Sequence, residues 1–377
     1  VSRPTLAHID LGALAHNARA IRAFLSAGRR GAEPALVGVV KADAYGHGAA
    51  EAARTLVEAG ARMLACADLE EGAALRAAGL TAPILVFGAF SLGELDGIFE
   101  HDLTPTVGSP TAGRRLQEAA ARRGVHLRYH LGIDTGMNRL GFRHDNLPHT
   151  IPELLAAPNL ELEGVYTHFA TADEPANELF TRQRRNFKAA DRVLAGLGAR
   201  GYVRHAANSG ALLSEPSTWF DLVRPGLLMY GVAPPAFEGR VPVRPVMSLR
   251  SHVAAVKGVR QGESVGYGGR FVARRPTTIA VVPAGYADGL DTRLEGRGFF
   301  LVRGRRVPVI GSVSMDVCAA DVTGMDVQPG DEVVITGRQG GDEITVAEMA
   351  GWVSTIPYEL LCRVGARVER VHQPPVR

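Results

Sequence analysis

The sequence predicts a (β/α)8 barrel over residues 1–240, followed by a mostly-β domain over residues 241–377. Three observations lead there. Short apolar runs alternate with segments of helical length through the first part of the chain, which argues for a parallel sheet covered by helices. About eight such units in about 230 residues suit a closed barrel. No glycine-rich dinucleotide fingerprint follows the first strand, which disfavours the alternative, an open doubly wound sheet. Near residue 235 the texture changes: "VAPPAFEGRVPVRPVMSL" reads as a proline-rich linker, and valine-rich alternating runs follow.

The elements fall in order. Asp10 caps a first helix, with Leu11, Leu14, Ala18, Ile21 and Leu25 at helical spacing. The runs "ALVGVVK" (35–41), "RMLACA" (62–67), "PILVFG" (83–88) and "LTPTV" (103–107) read as buried strands. So do "HLRYHLGI" (126–133), "ELEGVYTHF" (161–169), "YVRHAA" (202–207) and "LVRPGLLMY" (222–230). Between them, "SPTAGRRLQEAAARR" reads as a helix with Ser109 as its cap and Pro110 at the first helical position. "NELFTRQRRNFKAADRVLAGLG" places Leu179, Phe187, Ala190, Leu194 and Leu197 on one face. Beyond the linker, "LRSHVAAVKGV", "TIAVVPAGY", "FFLVRGRRVPVIGSV", "CAADVT" and "DEVVITGR" read as strands of a barrel or sandwich. One helix, "TVAEMAGWVS", interrupts them with Thr345 as its cap.

Bulk properties exclude several classes. A formal net charge of +3 on 377 residues gives no argument for nucleic acid or an anionic membrane. Three scattered cysteines, Cys66, Cys318 and Cys362, suit a reducing compartment and show no metal-ligand spacing. No stretch approaches the roughly 20 apolar residues of a membrane span. The first residues lack a basic segment followed by an apolar one. A cytoplasmic protein is expected.

In such barrels catalytic groups sit at the C-terminal ends of strands. Lys41 closes the first, in "VVKADAYGHG". A desolvated lysine amine is a nucleophile that forms Schiff bases, whereas a plain strand-end lysine would snorkel to water. Arg139 follows strand five and His168 ends strand six. Asn208 and Ser209 follow strand seven, and strand eight gives "VRPGLLMYG". The hydroxyl, amide and glycine of these last two loops suit a phosphate. A Schiff-base lysine beside a phosphate site, without metal ligands, points to pyridoxal 5′-phosphate (PLP). The alternative is a lysine-dependent aldolase whose sugar-phosphate substrate owns the phosphate.

"VVKADAYGHG" resembles the PLP-lysine signature of alanine racemases. "DTGMNRLGF", "THFATADE", "ANSG", "VRPGLLMYG", "GESVGYGG", "PAGYADG", "SMD" and "PYELLC" follow in that family's order over essentially the whole chain. The resemblance implies PLP at the barrel mouth and a head-to-tail homodimer with shared sites. It implies that Lys41 bonds to PLP and serves as one proton-transfer base, while Tyr267 from the partner chain serves as the other. Tyr45, Asn208, Ser209, Gly226, Leu227 and Tyr358 would hold the cofactor, and Arg224 would face its pyridine nitrogen. Arg139 and the backbone N–H of Met315 would bind the substrate carboxylate, and Tyr286 would line the entrance. A Tyr267–His168–Arg224 chain would depress the phenol pKa. The implied activity is interconversion of L- and D-alanine for cell-wall peptidoglycan. A racemase of broader or serine preference, a decarboxylase on the same architecture and a non-catalytic PLP carrier are the alternatives.

Other polar residues have local explanations. Asp43 and His47 suit turn hydrogen bonding, and Tyr129, His130 and Met137 suit packing. Asp316 suits orienting the backbone beside Met315, while His205 is ambiguous and suits stacking near the cofactor ring. One departure stands out. Many members of the resembled family carry a carbamylated lysine that holds the equivalent of Arg139, and here that position is Gly132. Asn138, a water or a bound anion would have to take its place.

Overall fold

The computed structural model describes residues 4–28, 32–88 and 95–374. The first few residues of the leader reading lie outside them. The chain forms two units: one is Leu14–Ala44 with Ala49–Val243, and the other runs from Arg244 onward with the opening strand and Tyr45–Gly48.

The first unit is the closed parallel barrel that alternation predicted. Its strands are Ala35–Val39, Ala61–Cys66, Ile84–Val86, Thr104–Val107, Leu127–Asp134, Leu160–Tyr166, Val203–His205 and Leu222–Val223. The ring closes where Leu222 pairs with Ala35 and Thr106 pairs with His130. Val37, Met63, Ala65, Leu85 and Leu222 form one buried cluster within it. The helix Glu178–Gly196 buries Phe180, Phe187 and Leu194, each contributing about 1.5–3 kcal/mol relative to exposure. Ser109 caps the helix Pro110–Arg123 by accepting from the Ala112 N–H, as read from the sequence, and Gly124 in the left-handed region ends it.

The eighth strand is shorter than the run 222–230 suggested. Pro225 has no N–H to give the ladder, so pairing stops at Val223 and the chain turns into the 3-10 segment Leu227–Tyr230.

The second unit is mostly β. Its ten-stranded sheet runs in the order 255–259, 277–282, 318–321, 305–310, 299–302, 332–339, 247–252, 6–10, 369–373, with 342–344 paired to 332–339. The opening strand, Leu6–Asp10, is absent from the sequence reading. It lies antiparallel to Met247–His252 and parallel to Glu369–Gln373. Thr345 caps the helix Val346–Trp352 as expected. A second helix, Pro357–Arg363, follows, with proline in its first turn. The sequence reading missed that helix, which carries Tyr358. Among the described residues, no helix is long and apolar enough to cross a membrane.

Candidate active site

The first barrel strand ends at Val39, and Lys41 opens a six-residue helical turn, Lys41–Gly46. The turn is left-handed. Ala42, Asp43, Ala44 and Tyr45 have φ of 53°, 52°, 54° and 54°, and Gly46 has 80°. L-residues pay roughly 1–2 kcal/mol each for this hand, so four of them store about 4–8 kcal/mol that the surroundings must offset. Glu71 Oε1 accepts from the Ala42 N–H at 2.6 Å while its Oε2 accepts from the Ala67 N–H at 2.7 Å. Asp43 Oδ1 accepts from the Ala49 N–H at 2.7 Å, and His47 Nδ1 lies 2.9 Å from the Tyr45 carbonyl. The local roles read for Asp43 and His47 are the ones they have. Glu71 was not anticipated. Its signal was the pairing of Asp68 as helix cap with a glutamate three residues on, where a capping-box side chain reaches back toward the preceding backbone.

Around the barrel mouth the charges are positive. Burial, then Arg224, Arg139 and Lys41, pull the half-buried His168 imidazole down to about 3, so it is neutral at physiological pH. Arg224 is only 4% exposed. Burial lowers its guanidinium to about 10, still protonated at neutral pH. It donates to His205 Nδ1 at 2.7 Å, to the Thr167 carbonyl at 2.7 Å and to the Ala206 carbonyl at 3.2 Å. The sequence reading linked Arg224 to His168. The structure instead gives it His205, the histidine left ambiguous. Arginine only donates, so His205 Nδ1 must accept and its Nε2–H donates to His130 Nδ1 at 2.8 Å. His130 Nε2 in turn faces Glu163 at 3.5 Å. Both histidines are fully buried, and burial with Arg224 holds His205 well below its ordinary pKa. Tyr166 stacks on His205 with ring centres 4.9 Å apart, and the Arg224 guanidinium lies 5.2 Å from the Tyr166 ring.

The loops after strands five to eight are fixed by side chains. Asp134 Oδ1 accepts from the N–H groups of Gly136, Met137 and Asn138, which shapes the turn that presents Arg139 to solvent. Buried Gln183 donates to the His168 carbonyl at 3.0 Å and to Thr135 Oγ1 at 3.3 Å, and accepts from the Ala170 N–H. It thus ties the loop carrying Arg139 to the loop carrying His168. A glutamine on the buried face between Phe180 and Phe187 was the signal available for it. Asn208 caps Ser209–Ser214 by accepting from the Ala211 N–H. Ser209 Oγ accepts from the Gly226 N–H at 3.1 Å and the Leu228 N–H at 3.4 Å, so the loops after strands seven and eight meet. An amine, two guanidiniums, a hydroxyl and clustered N–H groups are a donor set for an anionic ligand, and they fit PLP. Gly132 leaves Thr106, Tyr166 and Gly141 where a Cβ would project. Among the described residues, Arg139 has no carboxylate partner.

The remaining predicted residues lie in the β unit and form two groups. Tyr267 sits in a tight loop between Ser264–Val265 and Phe271–Val272. Its carbonyl accepts from Ser312 Oγ at 2.8 Å, and the residue is 78% exposed. Tyr286 and Met315 are adjacent: the Tyr286 N–H donates to the Ser314 carbonyl at 3.0 Å and the Ala287 N–H to the Met315 carbonyl at 3.1 Å. Arg367 bridges Asp316, Asp288 and the Met315 carbonyl, so Asp316 does orient this backbone. Tyr45 and Tyr358 form the other group, with ring centres 5.9 Å apart.

Comparison with known proteins gives the same pattern throughout the chain. Residues 9–234 match the family model described as the N-terminal domain of alanine racemase, and residues 246–372 match that of its C-terminal domain. An alanine racemase of Symbiobacterium thermophilum is 41% identical over 372 residues, 98% of this chain and 97% of that protein. The crystal structure of alanine racemase from D-cycloserine-producing Streptomyces lavendulae superposes with a TM-score of 0.93 at 37% identity, covering 100% of this chain and 98% of that one. The alanine racemase of Bartonella henselae, solved with covalently bound pyridoxal phosphate, superposes with a TM-score of 0.87 at 28% identity, over 98% and 99% of the two chains.

Proposed function

From the premise that this chain belongs to the alanine racemase family and is a racemase, we propose that it interconverts L- and D-alanine by a two-base mechanism with Lys41 and Tyr267. The observation that carries the reading is the placement of Lys41. It stands on a strained, well-anchored turn at the barrel mouth, within electrostatic reach of a neutral His168 and alongside Arg139 and Arg224.

Lys41 holds PLP. Ser209, Gly226 and the Leu227 N–H, with Asn208 supporting their loop and Tyr45 and Tyr358 adding phenols, receive the phosphate. Arg139 and the N–H of Met315 receive the substrate carboxylate, and Tyr286 narrows the entrance. The protein works as a cytoplasmic homodimer in which Tyr267 and Met315 serve the partner's site, and its product feeds peptidoglycan. Bound PLP supplies an electron sink for the pair left on Cα. The Lys41 amine and the Tyr267 phenol exchange the Cα proton on opposite faces: one takes it, the other returns a proton, and the roles reverse with the direction. Phenol has a reference pKa of about 10, so acting as a base calls for nearby positive charge or hydrogen bonds that favour the phenolate. His168 is neutral and serves that end by hydrogen bonding, while Arg139 and Arg224 provide the positive field. The exposure of Tyr267, Tyr286 and Met315 suits groups offered to another chain.

Alanine incubated in deuterium oxide tests the reading. Deuterium enters Cα and both enantiomers form. Carbon dioxide release, or cofactor binding with no exchange, refutes it. A panel of amino acids that turns over serine as fast as alanine overturns the alanine preference.

Arg224 can only donate, so facing the pyridine nitrogen of bound PLP it would keep that nitrogen unprotonated, which would weaken the sink and suppress transamination. Arg224→Glu is expected to raise pyruvate formed per racemisation turnover at least about tenfold, one pKa-unit equivalent of changed stabilisation. Unchanged pyruvate refutes the role. Gly132 offers no amine to carbamylate, so activity is expected to be indifferent to bicarbonate in carbon-dioxide-free buffer. A bicarbonate requirement would count against this reading.

A further inference from the structure

We propose that the edge strand Glu369–Gln373, through Arg370 above all, is the latch that holds the Gly46 end of the lysine turn in its left-handed form, which makes Arg370 a positioning residue for Tyr45. The part that concerns cofactor affinity rests on the reading above; the latch itself does not.

The hydrogen bonds of one guanidinium carry the inference. Arg370 Nε donates to the Gly46 carbonyl at 3.2 Å. Its Nη1 donates to the carbonyls of Gly365 at 2.6 Å and Val368 at 2.7 Å, and its Nη2 to that of Val364 at 2.7 Å. All four partners are backbone oxygens and none is a carboxylate. A planar fork with five fixed donors can gather carbonyls from separate segments in this way, and an ammonium cannot match it. One of those segments is the end of the lysine turn. The others follow the helix Pro357–Arg363, which carries Tyr358. Arg370 therefore sets the spacing between the two segments whose tyrosine rings lie 5.9 Å apart.

Neighbouring groups leave the turn little freedom. His372 Nε2 lies 2.9 Å from the His47 carbonyl, two residues along the same strand. A Cβ on Gly46 would lie 2.3 Å from the Leu361 carbonyl oxygen, and one on Gly48 2.6 Å from His372 Nε2, so glycine is needed at both contacts. The strand that carries Arg370 and His372 is itself pinned, since Ala7 pairs with Arg370 and Ile9 with His372. Four non-glycine residues in the left-handed region persist only where the surroundings over-determine them. At the Lys41 end Glu71 and Asp43 do this; at the Gly46 end Arg370 and His372 do.

Hydrogen exchange on the full chain, with and without added PLP, tests the latch in Arg370→Met and Arg370→Lys. Without PLP, Arg370→Met is expected to speed exchange of the peptide spanning 42–48 at least about tenfold, with the strands Met247–His252 and Glu332–Gln339 unchanged, since local openings differ in free energy across one structure. Arg370→Lys, with three donors on a single ammonium in place of the planar fork, falls between. PLP titration by absorbance is expected to show affinity at least about tenfold weaker in Arg370→Met, because the binding-competent turn is populated less. Wild-type exchange at 42–48, or an increase shared equally by the whole β unit, overturns the proposal. Faster exchange with unchanged PLP affinity upholds the latch and overturns instead the assignment of Tyr45 and Tyr358 to the phosphate.

Discussion

Replacing Lys41 with alanine is expected to lower racemisation at least about 10,000-fold, the upper end for losing a general base compounded by the loss of the covalent hold on the cofactor. The two directions must fall by the same factor in kcat/KM, because L- and D-alanine have equal free energies in water. The fall is expected in kcat at saturating PLP, since the phosphate contacts proposed for Ser209, Gly226 and Leu227 do not involve Lys41. A short alkylamine added to Lys41→Ala is expected to restore part of the activity by supplying the missing base. Measurement is by optical rotation or a coupled D-amino-acid assay on protein whose PLP content is checked by absorbance. A variant that binds PLP and keeps more than about 1% of wild-type rate removes Lys41 from the chemistry, because no base worth 100-fold or more would then have been lost.

The second large effect is at Tyr267. Tyr267→Phe keeps the ring and removes the hydroxyl, and racemisation is expected to fall about 100- to 10,000-fold. Equal kcat/KM in the two directions again hides which face was lost, so the informative readout is proton exchange. With one base left, the enantiomer whose Cα–H faces Lys41 gives up its proton and receives one back on the same face. In deuterium oxide that enantiomer is expected to gain label much faster than it inverts, while its mirror image does neither. Labelling of both enantiomers at equal rates would mean that a group other than Tyr267 exchanges protons on the second face, and would end the reading that pairs Tyr267 with Lys41. The substitution is benign for folding: Tyr267 is 78% exposed, and its loop is held by its carbonyl bond to Ser312 rather than by its ring.

Much of this was legible in the linear chain. Barrel strands announced themselves as short valine-, leucine- and isoleucine-rich runs because strands buried on both faces need no alternation. Caps at Asp10, Ser109 and Thr345 were legible because a side-chain oxygen satisfying an exposed helix N–H is a local interaction. Candidate site residues could be named because such a barrel puts strand ends at one mouth, so Lys41, His168 and Ser209 could be placed by counting strands. What stayed hidden was non-local. Leu6–Asp10 is five residues whose sheet partners lie some 240 and 360 positions away. Glu71 and Gln183 look like ordinary helix residues until their carboxylate and amide reach backbone groups on other loops.

By itself the sequence determined the barrel followed by a β domain and the family, and it supplied the lysine and the tyrosine proposed for the chemistry. Those depend on periodicity, on local caps and on motif order, all of which are properties of neighbouring residues. Tertiary structure decided that Arg224 bonds His205, that His168 is neutral, and that the lysine turn is left-handed although four of its residues bear side chains. Two of these outcomes cost free energy locally, through burial of a cation and through backbone strain. The left-handed turn persists because groups distant in sequence, Glu71 among them, are brought within hydrogen-bonding distance of its backbone.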